Sequence, residues 1–135
     1  MKGLRLYKYE KLCSRKLIDQ MFAAKNNSIK SYPIRLIYHV TDKQQSSAQF
    51  FISVPKKRLR HAVDRVLMRR RIREAYRLNR HLVLPHIKDA NKSVFIAFVF
   101  IGDAITSYSV IEERMRYALT QLAKAVNSNA ESSNQ

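Results

Sequence analysis

A chain of 135 residues with 46% apolar content is long enough for one folded domain and too apolar for a disordered basic tail. Its 26 lysines and arginines and 10 carboxylates give a formal charge of +16. This charge predicts a polyanionic partner, and a nucleic acid is favoured over an anionic membrane. A single cysteine, Cys13, excludes an internal disulfide and is typical of a cytoplasmic protein, while two glycines are too few for a glycine-rich phosphate loop.

The N-terminal residues predict a basic segment followed by a short helix. Residues 1–13 contain no continuous apolar stretch, so no secretory signal is expected. Ser14 is a suitable N-cap for a helix that would end near residue 24. The apolar side chains of that helix form one stripe, which comprises Leu17, Ile18, Met21 and Phe22.

Alternating apolar residues then predict two strands, over 33–40 and 49–54, separated by a polar turn. Because side chains alternate along a strand, Tyr38 and Ile37 are expected on opposite faces of the sheet. We expect the two strands to pair as an antiparallel hairpin, with a further short strand near 28–32.

Residues 56–80 carry more than half of the net charge, with eleven cationic side chains against Asp64 and Glu74, a formal charge of +9. The same residues have the apolar spacing of a long helix that would end before Pro85. The side expected to pack on a core comprises Met68, Ile72, Ala75, Tyr76, Asn79, Leu82 and Val83. An adjoining stripe of guanidinium groups comprises Arg69, Arg70, Arg73, Arg77 and Arg80.

Two interpretations of the stripe are open. A solvated cationic face without a ligand is the usual outcome for a run of charges. Here the stripe has no acidic partners four residues along, and Glu74 alone would neutralise little of it, which favours a binding surface for a polyanion. Arginine outnumbers lysine nine to two in this segment, and its planar fork suits phosphate oxygens and stacking on bases.

The last third of the chain predicts a buried strand and a closing helix. Residues 94–101 are continuously apolar, which indicates a strand covered on both faces, and eight residues are too few to span a bilayer. Ser109 and Glu112 have the spacing of a capping box that would open the final helix. The apolar face of that helix comprises Ile111, Met115, Ala118, Leu119, Leu122 and Val126.

The order of these elements is that of an α+β protein, a two-layer sandwich with helices packed on a small mixed sheet. The long helix joins two strands, so it makes a crossover connection if those strands are parallel neighbours. Such crossovers are usually right-handed. We expect a single domain over 1–127 and a polar, disordered tail over 128–135.

The chain offers no arrangement of side chains typical of a catalytic site. No spacing among the ten carboxylates suggests a general acid and base, which also disfavours a self-sufficient nuclease. His81 and His86 lie on either side of Pro85 and cannot share a helical face as zinc ligands, so no metal site is expected. Cys13 has no motif around it. The composition therefore indicates a binding protein whose chemistry resides in its partner.

Three sequence motifs resemble the protein component of bacterial ribonuclease P. They are ISVPKK at 52–57, AVDR at 62–65 and RRRIREAYR at 69–77. In that family a strand ends in a V-S-K-K-like turn and is followed by A-V-x-R-N-R-x-K-R-x-I-R-x-A-F/Y on a long helix. The resemblance covers about residues 10–125. The chain departs from the pattern in having Val66-Leu67 where the family has Asn-Arg, and we expect Arg58, Arg60 and Arg71 to compensate.

The resemblance implies an α-β-β-β-α-β-α fold with a left-handed βαβ crossover. It also implies a subunit of an endoribonuclease whose catalytic centre is in the RNA, with Mg²⁺ bound mainly by that RNA and no catalytic residues in the protein. The implied partners are ribonuclease P RNA and precursor tRNA, whose 5′ leader is removed to make the mature end. No membrane and no obligate protein partner are expected, and the implied location is the cytoplasm.

The resemblance also assigns site residues. The expected RNA-binding residues are Lys56, Lys57, Arg58, Arg60, Arg65, Arg69, Arg70, Arg73 and Arg77. The expected residues of a cleft for the leader are Ile18, Phe22 and Tyr38, with ordinary core packing as the alternative for Ile18 and Phe22. A structural RNA-binding protein of the ribosomal type is the other functional hypothesis, and the central motif favours the first.

Overall fold

The computed structural model describes residues 27–42 and 48–133. The helix predicted between Ser14 and residue 24 lies outside these residues, as do Ile18 and Phe22. The strands are β1 (Asn27–Ser31), β2 (Ile34–Asp42), β3 (Ala48–Ser53) and β4 (Lys92–Phe100). The helices are α1 (Ala62–Asn79), α2 (Leu84–Asp89) and α3 (Tyr108–Ser133), with a 3₁₀ turn at Arg80–Leu82. None of the described helices is both long and apolar enough to cross a membrane.

The four strands form one mixed sheet in the order β1-β2-β4-β3. β1 pairs with β2 as an antiparallel hairpin, which confirms the predicted short strand. β2 pairs antiparallel with β4, and β3 pairs parallel with β4. The predicted hairpin between β2 and β3 is therefore wrong, because β4 lies between them. Apolar side chains on both faces make β4 the strand best suited to the centre of the sheet, and this outweighs the proximity of β2 and β3 along the chain.

The connection from β3 to β4 runs through α1 and α2, so the crossover expected for the long helix is present. All three helices lie on one face of the sheet. Their apolar sides cover Ile34, Leu36, Phe50, Phe98 and other buried residues of that face. The observed architecture is the predicted two-layer α+β sandwich.

Aromatic side chains form the centre of this core. Tyr76 of α1 packs against Phe50 of β3, with ring centroids 4.6 Å apart, and against Phe98 of β4 at 5.3 Å. Met68 and Ile72 on the same side of α1 are completely buried. The predicted core side of the long helix is thus confirmed from Met68 to Asn79. Buried rings of this size contribute a large part of the stability of a small domain.

The end of the long helix differs from the prediction. α1 stops at Asn79, and α2 takes Pro85 into its first turn, where the missing N–H leaves no helical bond unmade. Arg80 is 5% exposed, so its expected position in the arginine stripe is wrong. A 3₁₀ turn has 3.0 residues per turn, whereas an α-helix has 3.6. The helical wheel that places Arg69 to Arg77 correctly therefore no longer applies at Arg80.

The start of the last helix also differs. α3 begins at Tyr108, and its first backbone bond runs from the Ile111 N–H to the Ser107 carbonyl. Ser109 therefore lies inside the helix and does not make the predicted capping box with Glu112. The helix extends to Ser133, into the segment predicted as a tail.

Candidate RNA interface

The loop between β3 and α1 is held in a defined turn. The backbone N–H groups of Arg58 and Leu59 both donate to the Pro55 carbonyl, at 3.0 and 3.3 Å. The Leu59 side chain is buried in the core and anchors the loop. The side chains of Lys56 and Lys57 remain exposed at the tip of the turn. The loop thus offers two cations to solvent from a fixed backbone.

Arg65 holds this loop to the first turn of α1. Its Nη1 donates to the carbonyls of Leu59 and Arg60, at 2.9 Å in both cases. The residue was expected to contact RNA, and the structure instead assigns its Nη1 to the chain itself. A sequence pattern cannot reveal such a bond, because the loop carbonyls turn toward Arg65 only after the loop has folded.

Arg69, Arg70 and Arg73 form the part of the stripe that is available to a ligand. Arg70 and Arg73 are exposed and Arg69 is half-buried. Within the described residues, no carboxylate lies within ion-pair distance of these three side chains. Arg60, in the loop, is exposed in the same way. Unneutralised guanidinium groups along one helix face suit the phosphates of a folded polynucleotide.

Arg77 differs from its neighbours because it is paired. Its Nε donates to Oε2 of Glu74 at 3.0 Å, and its Nη2 contacts Oε1 of the same carboxylate. This hydrogen bond is the main cause of a lowered pKa for Glu74, to which Arg73 contributes electrostatically. The i, i+3 spacing of the two residues in the sequence is the signal that would have identified the pair.

Two of the cations expected to compensate for Val66-Leu67 are also engaged. Arg71 donates to the Thr106 carbonyl at 2.6 Å and ties α1 to the segment before α3. Arg58 pairs with Asp103 at 3.4 Å, on the surface. Arg60 is the one of the three whose side chain has no partner among the described residues. Val66 itself is 38% exposed, so the replacement leaves an apolar side chain at the helix start.

The sheet has a second face, opposite to the helices, with a small apolar cluster. Phe51, Phe95 and Val99 pack around Ile37 and Ala97. No helix of the described chain packs on this face. We predicted that β4 is covered on both faces. The described residues cover it only on the helix side.

Aromatic surface on this second face is extended by His39, whose ring stacks on Phe95 with centroids 6.4 Å apart. Tyr38 does not belong to it. Tyr38 is 8% exposed, lies among the core residues under the helices, and has a pKa raised by burial. Because side chains alternate along β2, Tyr38 faces the helices whereas Ile37 faces this second side, so the place of Tyr38 in a leader cleft stays a prediction that its burial does not favour. Arg35, Ile37 and His39 are β2 residues that face this side.

A polar network joins the end of α1 to α3. The Asn79 amide, which is buried, donates to the Ala75 carbonyl at 2.8 Å and to Glu112 at 3.5 Å. Arg116 Nε donates to Asn79 Oδ1 at 3.0 Å, and the Tyr108 hydroxyl donates to Glu112 at 3.1 Å. Buried polar groups with specific partners define one orientation of a helix better than apolar contacts do. Sequence reasoning counted Asn79 only as a core position.

Tyr108 provides a test of this network. Burial, followed by the hydrogen bond to Glu112, raises its pKa from 10.0 to about 12. Because the folded value lies above the unfolded one, its contribution to stability is complete below pH 10.0 and is lost as the pH rises toward about 12. We expect Tyr108→Phe to remove one phenol that titrates well above pH 10.0 in an ultraviolet pH titration. A high-pH component of unchanged amplitude in Tyr108→Phe would contradict the assignment.

Within 27–42 and 48–133, no three side chains of histidine, cysteine, aspartate or glutamate come together as they would around a metal ion.

Comparisons with known proteins agree with this geometry. The family model described as Ribonuclease P matches residues 6–124. The Ribonuclease P protein components of two Porphyromonas gingivalis strains are each 32% identical to this chain over 126 residues, which cover 93% of this chain and 91% of the relative.

Solved structures show the same fold. The RNase P protein from Thermotoga maritima superposes with a TM-score of 0.64 and 16% identity, over 83% of this chain and 96% of that one. The Staphylococcus aureus RNase P protein gives a TM-score of 0.61 and 18% identity, over 87% of this chain and 98% of that one. Because the family model matches residues 6–124 of the 135, the chain belongs to the ribonuclease P protein family.

Proposed function

We propose that this chain is the protein subunit of ribonuclease P and acts in the cytoplasm. In this proposal it binds the RNA of that ribonucleoprotein and the 5′ leader of precursor tRNA, and it assists the cleavage that releases the leader. The observation that carries the proposal is the row of exposed Arg70 and Arg73 and half-buried Arg69 beside the cationic loop at Lys56 and Lys57. A fixed array of cations lowers the electrostatic cost of bringing two RNA molecules together.

The chemistry of cleavage is assigned to the RNA. Mg²⁺ ions bound by RNA would supply the activated water and stabilise the charge on the phosphate during hydrolysis. The described residues do not form a group that suits such an ion, and in this proposal the protein takes no chemical part in cleavage. The residues of this chain bind and orient RNA.

The second face of the sheet suits an unpaired strand. Phe51 and Phe95 lie on it with His39 stacked alongside, and bases of single-stranded RNA stack on aromatic rings of this kind. This face lies opposite to the helices, whereas the arginine row lies on the outer side of α1. We therefore assign the leader to the sheet and the larger RNA to the helix and the loop.

The test is a cleavage assay with purified components. Ribonuclease P RNA and a precursor tRNA are mixed at low Mg²⁺ with and without the chain, and the rate of 5′ cleavage is measured under single-turnover conditions. We expect the chain to increase the rate, and Arg70→Gln with Arg73→Gln to remove most of the gain. Lys88→Gln, an exposed site on α2, is the matched control and should behave as the unaltered chain does.

Two other outcomes of this assay would contradict the proposal. RNA binding without any gain in cleavage would contradict the proposal and favour a structural RNA-binding protein. Cleavage by the chain in the absence of ribonuclease P RNA would indicate a nuclease instead.

A further inference from the structure

A cavity of about 380 Å³ opens at one end of the sheet. It is lined by Ser28, Lys30, Tyr32, Arg35, Arg58 and Ile101. The β1–β2 turn, the start of β2, the cationic loop and the segment after β4 meet here. The Ile101 N–H donates to the Pro33 carbonyl at 2.8 Å, which joins the end of β4 to the turn.

The cavity contains an unfavourable concentration of positive charge. Lys30 and Arg35 are direct cross-strand partners in the β1–β2 hairpin. Like charges at directly opposed positions destabilise an antiparallel pair. The partner of Arg35 on its other side is Val99, so among the described residues this row of the sheet contains no carboxylate. Arg58 adds a third cation from the loop, and an anion in the cavity would relieve the repulsion among the three.

An aromatic ring stands beside these cations. Tyr32 is 55% exposed, although it follows a buried serine and precedes a buried proline. An exposed ring next to a cluster of cations is the pairing by which proteins hold single-stranded nucleic acid, with a base on the ring and a phosphate on the cations. Ile101 supplies a partly buried apolar wall to the same cavity.

The cavity is continuous with the second face of the sheet. Arg35 and Ile37 are two residues apart on β2, so their side chains point to the same side of the sheet. Lys30 is the cross-strand partner of Arg35, and Ala97 is that of Ile37, so all four side chains share this side. An RNA strand that crosses the aromatic surface around Phe95 reaches the cavity at this end of the sheet. This position makes an unpaired strand a better occupant than a duplex, whose bases are stacked inside.

We propose that this cavity binds a backbone phosphate of an unpaired RNA strand between Lys30, Arg35 and Arg58, and that the adjacent base stacks on Tyr32. The inference rests on the proposed function, within which the unpaired strand is the leader of precursor tRNA. It adds a subsite at one end of the sheet, beyond the aromatic cluster.

Asp103 limits this subsite. Its side chain is 84% exposed and its carboxylate is the partner of Arg58 at 3.4 Å. Exposed ion pairs of this type contribute little to stability, so Arg58 can exchange the carboxylate for a phosphate at little cost. Asp103 therefore competes with the ligand, and its removal should strengthen binding.

The test measures binding of a fluorescent single-stranded RNA oligonucleotide to the full chain by anisotropy. Tyr32→Ala should weaken binding by roughly 5- to 150-fold, the range that corresponds to the loss of one stacked base. Tyr117→Ala removes a similarly exposed tyrosine that does not line the cavity and should have no effect. Arg35→Gln should weaken binding more than Lys88→Gln does.

Asp103→Asn gives a prediction of opposite sign. It should strengthen oligonucleotide binding more than Asp89→Asn, which removes the same charge from an exposed site on α2. Equal effects of the two substitutions would mean that only net charge matters and would overturn the subsite. Displacement of the oligonucleotide by inorganic phosphate together with no effect of Tyr32→Ala would indicate a site for free anions and would also overturn it.

A second arm separates this inference from the proposed function. The same variants are measured with precursor tRNA and with tRNA lacking a leader, both bound to ribonuclease P RNA and the chain. We expect Tyr32→Ala to weaken only the complex with the leader. If the chain stimulates cleavage but Tyr32→Ala binds both substrates as the unaltered chain does, the subsite is wrong and the proposed function stands. If the chain does not stimulate cleavage at all, the proposed function fails whatever the oligonucleotide binds.

Discussion

Binding of ribonuclease P RNA to this chain will weaken by roughly 10³- to 10⁵-fold when salt is raised from about 50 mM to about 200 mM, as expected for about 6 to 10 phosphate contacts. The reason is that each cation placed on a phosphate releases a counterion, and added salt opposes that release. Arg69, Arg70 and Arg73, with Lys56, Lys57 and Arg60 in the loop, supply six cations for such contacts. Filter binding or anisotropy at several salt concentrations gives the slope of log affinity against log salt.

Substitutions show which residues contribute to the slope of log affinity against log salt. Arg70→Gln and Arg73→Gln together should lower its magnitude by about 2, since each phosphate contact contributes about 1. Lys88→Gln changes the net charge by one at a site away from the stripe and should leave the slope unchanged. A flat salt response of the unaltered chain would contradict the electrostatic basis of binding. An equal change of slope in Lys88→Gln would show that the arginine row has no special role.

Replacing Ile72 by alanine will reduce the free energy of unfolding by about 2–5 kcal/mol. Ile72 is completely buried between α1 and the sheet, so the substitution removes apolar contacts and leaves a cavity that the surrounding core fills only in part. Urea unfolding followed by circular dichroism should show a lower midpoint with an unchanged slope. RNA affinity, measured where both proteins are folded, should be nearly unaltered.

The neighbouring Arg73 is the matched control, one position along the same helix. Its side chain is exposed, so Arg73→Ala should change the free energy of unfolding by no more than about 0.5 kcal/mol while weakening RNA binding. The opposite pattern, a stable Ile72→Ala that binds poorly and an unstable Arg73→Ala that binds well, would mean that α1 is rotated about its axis.

The types of element and the buried side of the long helix follow from local patterns. Met68, Ile72 and Tyr76 recur at helical spacing, and spacing alone places them on one side of a rod. The charged stripe next to them follows from the same geometry as long as the helix keeps 3.6 residues per turn. Its prediction holds through Arg77 and fails at Arg80, where the chain tightens into a 3₁₀ turn that no pattern in the sequence marks.

The pairing of strands was not predictable in the same way. Proximity along the chain favours a hairpin of β2 with β3, whereas the sheet places β4 between them because only β4 is apolar on both sides. Which strand is central depends on interactions between distant residues, and a single sequence does not reveal them. The same limit applies to side-chain pairing. Arg65 and Arg71 resemble their exposed neighbours in the sequence and differ only in that folded carbonyls accept their hydrogen bonds.

The order of the strands in the sheet has a consequence for synthesis of the protein. β4 holds the sheet together, yet it is the last of the four strands to leave the ribosome. Until residues 92–100 have been made, β3 lacks its partner strand and the apolar side of α1 lacks the surface on which it packs. A nascent chain that ends before this point would carry its cationic segment without the framework that orients it, so selective RNA recognition begins only after most of the polypeptide has been translated.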